Sequence, residues 1–120
     1  MIRGIRGATT VSEDREVDVV EATEELLREL IRENQLLADQ VASIFISVTD
    51  DLSSAFPAKA IREIDGWTYV PVMCMREIPV IQSLPKCIRI MVHYNTTIPQ
   101  NQIHHIYLRE AKALRPDLSK

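Results

Sequence analysis

Three arginines stand in stretches that otherwise read as strands. Arg3 and Arg6 interrupt the opening IRGIRGATTV, and Arg89 sits in KCIRIMVHY. If residues 2–11 alternate regularly, Arg6 shares a face with Gly4 and Ala8 and Arg3 points to the opposite one. The small neighbours leave space beside Arg6 for a bound group. A guanidinium pairs well with a carboxylate because its planar fork donates two parallel hydrogen bonds. Lys59 and Arg62 add two cations at i, i+3 on one side of a short helix. Against these, an arginine on a strand is most often solvated, and a cation on an exposed helical face usually has no further role. Glu77 sits at a strand end, where an exposed carboxylate needs no special explanation. Cys74 reads more often as a small core residue than as a reactive one. His93, His104 and His105 lack metal-ligand spacing, and no P-loop, G-x-S-x-G or G-x-G-x-x-G signature occurs. The residues offer cations and a carboxylate with no nucleophile–base pair. That favours a site for a small anion, using electrostatic chemistry or simple binding.

The elements that position these groups follow from hydrophobic spacing. Val20, Thr23, Leu26, Leu27, Leu30 and Ile31 recur at helical intervals, which predicts a helix over about 17–34. Asp18 and Glu21 suit a capping box and Asn34 a C-terminal stop. VASIFISV, residues 41–48, predicts a strand with Ala42, Ile44, Ile46 and Val48 on the core side. A strand, a long helix and a strand suggest a right-handed crossover. Pro57 and Asp65-Gly66 bracket a helix of about two turns, with Ala58, Ile61 and Ile64 inward. Residues 67–75 read as an edge or bulged strand because of Pro71. Residues 86–94 form a strand with Ile88, Ile90 and Val92 on the core side and Cys87, Arg89, Met91 and His93 opposite. Residues 103–108 give a last short strand. The fold class is α+β or α/β: a mixed sheet of about five strands with one long and one short helix. Its second face is uncovered, and an apolar second face is usually covered by another subunit.

The 120 residues suit one domain, 46% hydrophobic and 26% charged, with a formal net charge of −3. That charge argues against a nucleic-acid partner and requires any anion to be drawn by a local basic cluster. Cys74 and Cys87 read as free thiols of a reducing compartment. No apolar run has the length of a membrane span, and the first residues lack a signal-peptide pattern, so the expected location is cytoplasmic.

RGIRGATTV, DLSSAFPAKAIRE, GWTYVPVMCMREIPV, KCIRIMVHYNT and IPQNQIHHIYLREAKALRPDLS occur in this order over nearly the whole chain. Together they resemble the AroH-type chorismate mutases, the small monofunctional enzymes distinct from the all-helical class. The resemblance implies a single domain over 1–120, a homotrimeric pseudo-barrel with helices outside, and active sites in clefts between subunits. It implies conversion of chorismate to prephenate on the route to phenylalanine and tyrosine, without cofactor or metal. It also implies roles: Arg89 donating to the ether oxygen, Arg6 binding a carboxylate, and Glu77 accepting from the ring hydroxyl near developing positive charge. Cys74 would touch the ring side of the substrate and Tyr107 would bind a carboxylate. Phe56, Ala58 and Lys59 would line the cleft from the adjacent subunit, together with Val72 and Met73; Met73 stands where a smaller polar residue can occur. Arg62, Leu114 and Arg115 would lie near the entrance. A non-catalytic module binding a small aromatic acid, or an imine deaminase on a similar trimer, are the alternative readings.

Overall fold

The computed structural model describes residues 1–117. Helix α1, Glu16–Asn34, buries Val19, Ala22, Thr23, Leu26, Leu27 and Leu30 along one stripe. Each fully buried leucine contributes about 1.5–3 kcal/mol. The expected capping box does not form. The helix starts earlier, and its N-cap Arg15 makes no side-chain cap. Asp18 instead accepts from the Arg15 guanidinium at 2.7 Å, while Glu16 and Asp18 place negative charge in the first turn, where the helix dipole favours it. The helix stops at Gln35, which takes left-handed backbone (φ 54°) and donates its N–H to Ile31. Asn34 does different work. Its amide donates to the carbonyls of Leu30 (3.1 Å) and His104 (2.8 Å), and its oxygen accepts from the His104 N–H at 2.9 Å.

The strands are β1 (Ile2–Thr10), β2 (Val41–Val48), β3 (Val72–Arg76), β4 (Cys87–Asn95) and β5 (Ile106–Tyr107). They form one sheet in the order β3-β2-β4-β1-β5. β4 runs antiparallel to both β1 and β2, while β2–β3 and β1–β5 are parallel. Period-2 alternation sorts the side chains. Ile5, Ile44, Ile46, Ile88, Ile90 and Val92 are fully buried beneath α1. Gly7 also faces the helix, because a Cβ there would lie 3.0 Å from both Leu26 Cδ1 and Leu30 Cδ1. Arg6, Phe45, Ser47, Met73, Met75, Arg89, Met91 and His93 take the other face, which among the described residues is covered only at its Ala8 end, by Tyr107, Ala111 and Leu114. Phe45, Met73 and Met75 are 36%, 61% and 43% exposed there.

Several expected boundaries shift for local reasons. A register irregularity between Val41 and Ser43 turns Val41 inward and leaves Ala42 exposed, reversing the expected order at the start of β2. Pro71 ends the non-strand segment before β3. It cannot donate to a ladder, yet its carbonyl accepts from Ile44 N–H at 2.9 Å. β3 is an edge strand, as Pro71 suggested, but begins only at Val72. Helix α2 is one turn, Lys59–Arg62, with Ala60 and Ile61 buried and Ala58 only half-buried. The last strand shrinks to two residues. Just before it, the His105 imidazole Nδ1 accepts the Arg6 backbone N–H at 3.0 Å, where a longer strand would supply a carbonyl. No helix among the described residues is long and apolar enough to cross a membrane.

Two predictions concern stability. Gly7→Val should destabilise the fold by about 1–3 kcal/mol, because its methyls drive into Leu26 and Leu30; thermal unfolding would show it, and an unchanged melting temperature would contradict the packing. His105 is held below its ordinary value of 6.5 by burial first, then by Arg6, Arg115 and His104. The unfolded chain therefore binds the proton more readily. Stability from the neutral ring is fully present above the unfolded value and is lost as pH falls through the folded one. In urea titrations at about pH 5 and pH 7.5, His105→Asn should gain less stability with rising pH than the parent does. Equal gains would contradict it.

Candidate active site

The open face of the sheet carries the cations. Arg6 rises from β1 between Gly4 and Ala8, and β4, its antiparallel neighbour, sends Arg89 to the same side. Both line a cavity of about 340 Å³, shared with Phe45, Ser47, Met75, Met91, Tyr107, Leu114 and Arg115. Tyr107 is placed by the short β5, whose ladder sets it opposite Ala8. It packs with Ala8, Ala111, Leu84 and Leu114, so the tail folds back along the sheet edge. Arg109 fixes that return. It takes left-handed backbone (φ 53°) and donates to the Thr10 carbonyl at 3.0 Å.

Charge in the cavity is unbalanced. The Arg6 guanidinium has no carboxylate within ion-pair distance among the described residues. Arg89 approaches Glu77, with Nε 3.4 Å from Oε2. Glu77 lies just past the end of β3, its N–H bonded to the Val48 carbonyl at 2.8 Å. The same Oε2 accepts a 2.8 Å hydrogen bond from the Ser47 hydroxyl. Arg115 holds Asp117 through two bonds of 3.0 and 2.8 Å, which keeps that carboxyl below its usual range. Burial pushes the Cys87 thiol up, although Arg89 opposes the shift.

A second, larger cleft of about 950 Å³ lies along the other side of β3 and the loop before α2. Phe56, Ala58, Lys59, Arg62, Val72, Met73 and Cys74 line it. The loop is pinned by Asp14, whose carboxylate accepts from the N–H groups of Ser53 (3.0 Å) and Ser54 (3.1 Å). Asp14 is held below the usual carboxylate range by the Ser54 side chain first and the Ser53 N–H next. Phe56 is left 80% exposed. Lys59 reaches Glu16 at 3.3 Å.

Apart from Glu77, which lines a third cavity with Thr49, Asp51 and Ile78 and meets the first only through Arg89 and Ser47, the anticipated residues fall into two groups within one chain. Arg6, Arg89, Tyr107, Leu114 and Arg115 surround the first cavity. Phe56, Ala58, Lys59, Arg62, Val72, Met73 and Cys74 surround the second, and Met75 borders both. Cys74 pairs with Ile46 and packs toward the core, so it faces away from Arg89 of its own chain. The sequence reading missed Ser47, Phe45 and His105. Alternation along VASIFISV does place Ser47 and Phe45 on the arginine face. The backbone bond of His105 leaves no mark in sequence.

Comparison with known proteins gives a consistent result. Residues 2–118 match the family model described as chorismate mutase type I. The chain is 51% identical over 119 residues to chorismate mutase AroH of Bacillus subtilis (strain 168), covering 99% of this chain and 94% of that protein. It is 48% identical over 119 residues to chorismate mutase AroH of Thermus thermophilus, covering 98% and 97%. A solved chorismate mutase from Clostridium thermocellum superposes with a TM-score of 0.89 at 48% identity, covering 92% of this chain and 98% of that one. The chain belongs to the type I chorismate mutase family.

Proposed function

We propose that this chorismate mutase turns chorismate into prephenate by clamping the dianion against the arginine face of one copy and closing the site with the cleft of a second. The observation that carries this reading is the convergence of Arg6 and Arg89 on one cavity, with Glu77 beside Arg89. The reaction is an isomerisation. The ether C–O bond breaks as a new C–C bond forms, and no proton is transferred. The oxygen gains negative character and the ring positive character. Catalysis then consists of holding the compact conformer and placing fixed charge where charge develops.

Arg89 is the donor for the ether oxygen. Arg6 and Tyr107 take a carboxylate, and Glu77 accepts from the ring hydroxyl close to the developing positive charge. Phe56, Ala58 and Lys59 come from a second copy, with Val72, Met73 and Cys74 beside them. Arg62, Leu114 and Arg115 border the opening and attract the dianion, an effect that salt screens. With a net charge of −3 the whole-molecule field repels such a substrate, so this local cluster must supply the attraction.

A homotrimeric pseudo-barrel is supported by the largely uncovered sheet face with its exposed Phe45, Met73 and Met75, and by the division of the site residues between two cavities. The continuous sheet and single main core support one domain. The two free cysteines, one half-buried and one buried, are compatible with a cytoplasmic location. The binding-module and deaminase readings give way to the family match.

Arg89→Ala should reduce turnover at least ~10²-fold, the scale for removing one preorganised donor to a developing oxyanion. Following chorismate consumption by absorbance tests this, and near-parental turnover would reject the mechanism. Arg115→Ala should raise KM and leave kcat nearly intact. A large loss at saturating chorismate would show that Arg115 acts in the rearrangement itself.

A further inference from the structure

Ser47 occupies an unusual place in this network. It is the cross-strand partner of Arg89 on β4 and of Met75 on β3, so it lies midway across the row that carries the cation. Glu77 sits two residues beyond Met75 on the same side. Its Oε2 meets two donors, the Ser47 hydroxyl at 2.8 Å and Arg89 Nε at 3.4 Å. The first distance is a good hydrogen bond. The second exceeds the range of an effective N–H···O bond. The carboxylate is thus hydrogen-bonded to the hydroxyl and ion-paired with the guanidinium only at a longer distance, short of a close bidentate pair.

We infer that Ser47 is a positioning residue that holds the Glu77 carboxylate off Arg89, keeping the guanidinium open toward substrate and the carboxylate aimed at the ring. This rests on the roles proposed above for Glu77 and Arg89. The chemistry is simple. A glutamate with no other donor moves onto the nearest cation, because a bidentate arginine–carboxylate pair is the stronger arrangement. In that state two of the five Arg89 N–H donors are turned onto Glu77, and both groups are drawn away from the positions the transition state needs. A hydroxyl at residue 47 prevents this without adding charge. A compact side chain, no larger than threonine, also suits the position, since Ser47 lines the cavity itself. Carboxylate capture by Arg6 and Tyr107 lies on another strand pair and is left unaffected, so the cost falls on kcat.

The test is a kinetic cycle at positions 47 and 77. Ser47→Ala should lower kcat about tenfold with KM changed less than about twofold, and Ser47→Thr, which keeps the hydroxyl, should stay near the parent. In a Glu77→Gln background, Ser47→Ala should add almost nothing, because its effect passes through the carboxylate. Thermal unfolding of each variant separates this from lost stability. Ser47→Cys, a weak donor of similar shape, should fall between the alanine variant and the parent, and it serves if the alanine variant folds poorly. A silent Ser47→Ala, or an equal loss in the Glu77→Gln background, overturns the inference while leaving the Glu77 role standing. A Glu77→Gln enzyme with unchanged kcat overturns that role and this inference with it.

Discussion

A pleated strand must send alternate side chains to opposite faces, and the rest of the molecule follows from that constraint. One face of this sheet is aliphatic and buried under α1. The other carries Arg6 and Arg89 on adjacent strands, with Glu77 as the near carboxylate. Neither cation can move into the core, since an unpaired buried charge is too costly. They therefore remain on a face that is otherwise largely apolar, beside Phe45, Met75 and Met91. An apolar face with excess positive charge suits a small dianion with a hydrocarbon ring.

The fold spends much of its hydrogen bonding on holding that face still. Asn34, at the end of α1, grips the backbone of His104. The next residue, His105, holds the Arg6 backbone. Asp51 accepts from the Lys86 N–H at the start of β4. Asp14 fixes the loop that presents Phe56 and Lys59. These tethers join segments far apart in sequence to the strands that bear the charged groups. Such rigidity suits a reaction whose catalyst must be preorganised and need not shuttle protons.

Much of this was legible in the sequence where side-chain periodicity governs the outcome. The centre of the helix stripe, Thr23, Leu26, Leu27 and Leu30, the limits of β2, the inward Ile88, Ile90 and Val92, and the outward Arg89 all follow from spacing, whereas the expected Val20 and Ile31 are only half-buried and Val19 and Ala22 are buried. Features decided by backbone contacts with distant segments were not legible. The irregularity at Val41–Ser43, the left-handed stop at Gln35 and the two-residue β5 depend on partners that local sequence does not reveal. The site shows the same division. Arg6 and Arg89 could be placed on faces by alternation, though only the strand order makes them neighbours. The core-ward turn of Cys74 follows from its pairing with Ile46, which its own segment does not specify.

The central claim is that fixed guanidinium charge, in a crevice completed by a second copy of the chain, stabilises the oxygen of the breaking ether. The most direct measurement is a crystal structure with an oxygen-bridged bicyclic dicarboxylate that imitates the activated substrate. The account predicts the bridging oxygen at about 2.7–3.1 Å from the Arg89 guanidinium, with Phe56 and Lys59 of a neighbouring copy closing over the ligand. A mimic held within one copy alone, or with its bridging oxygen turned to solvent, would contradict it.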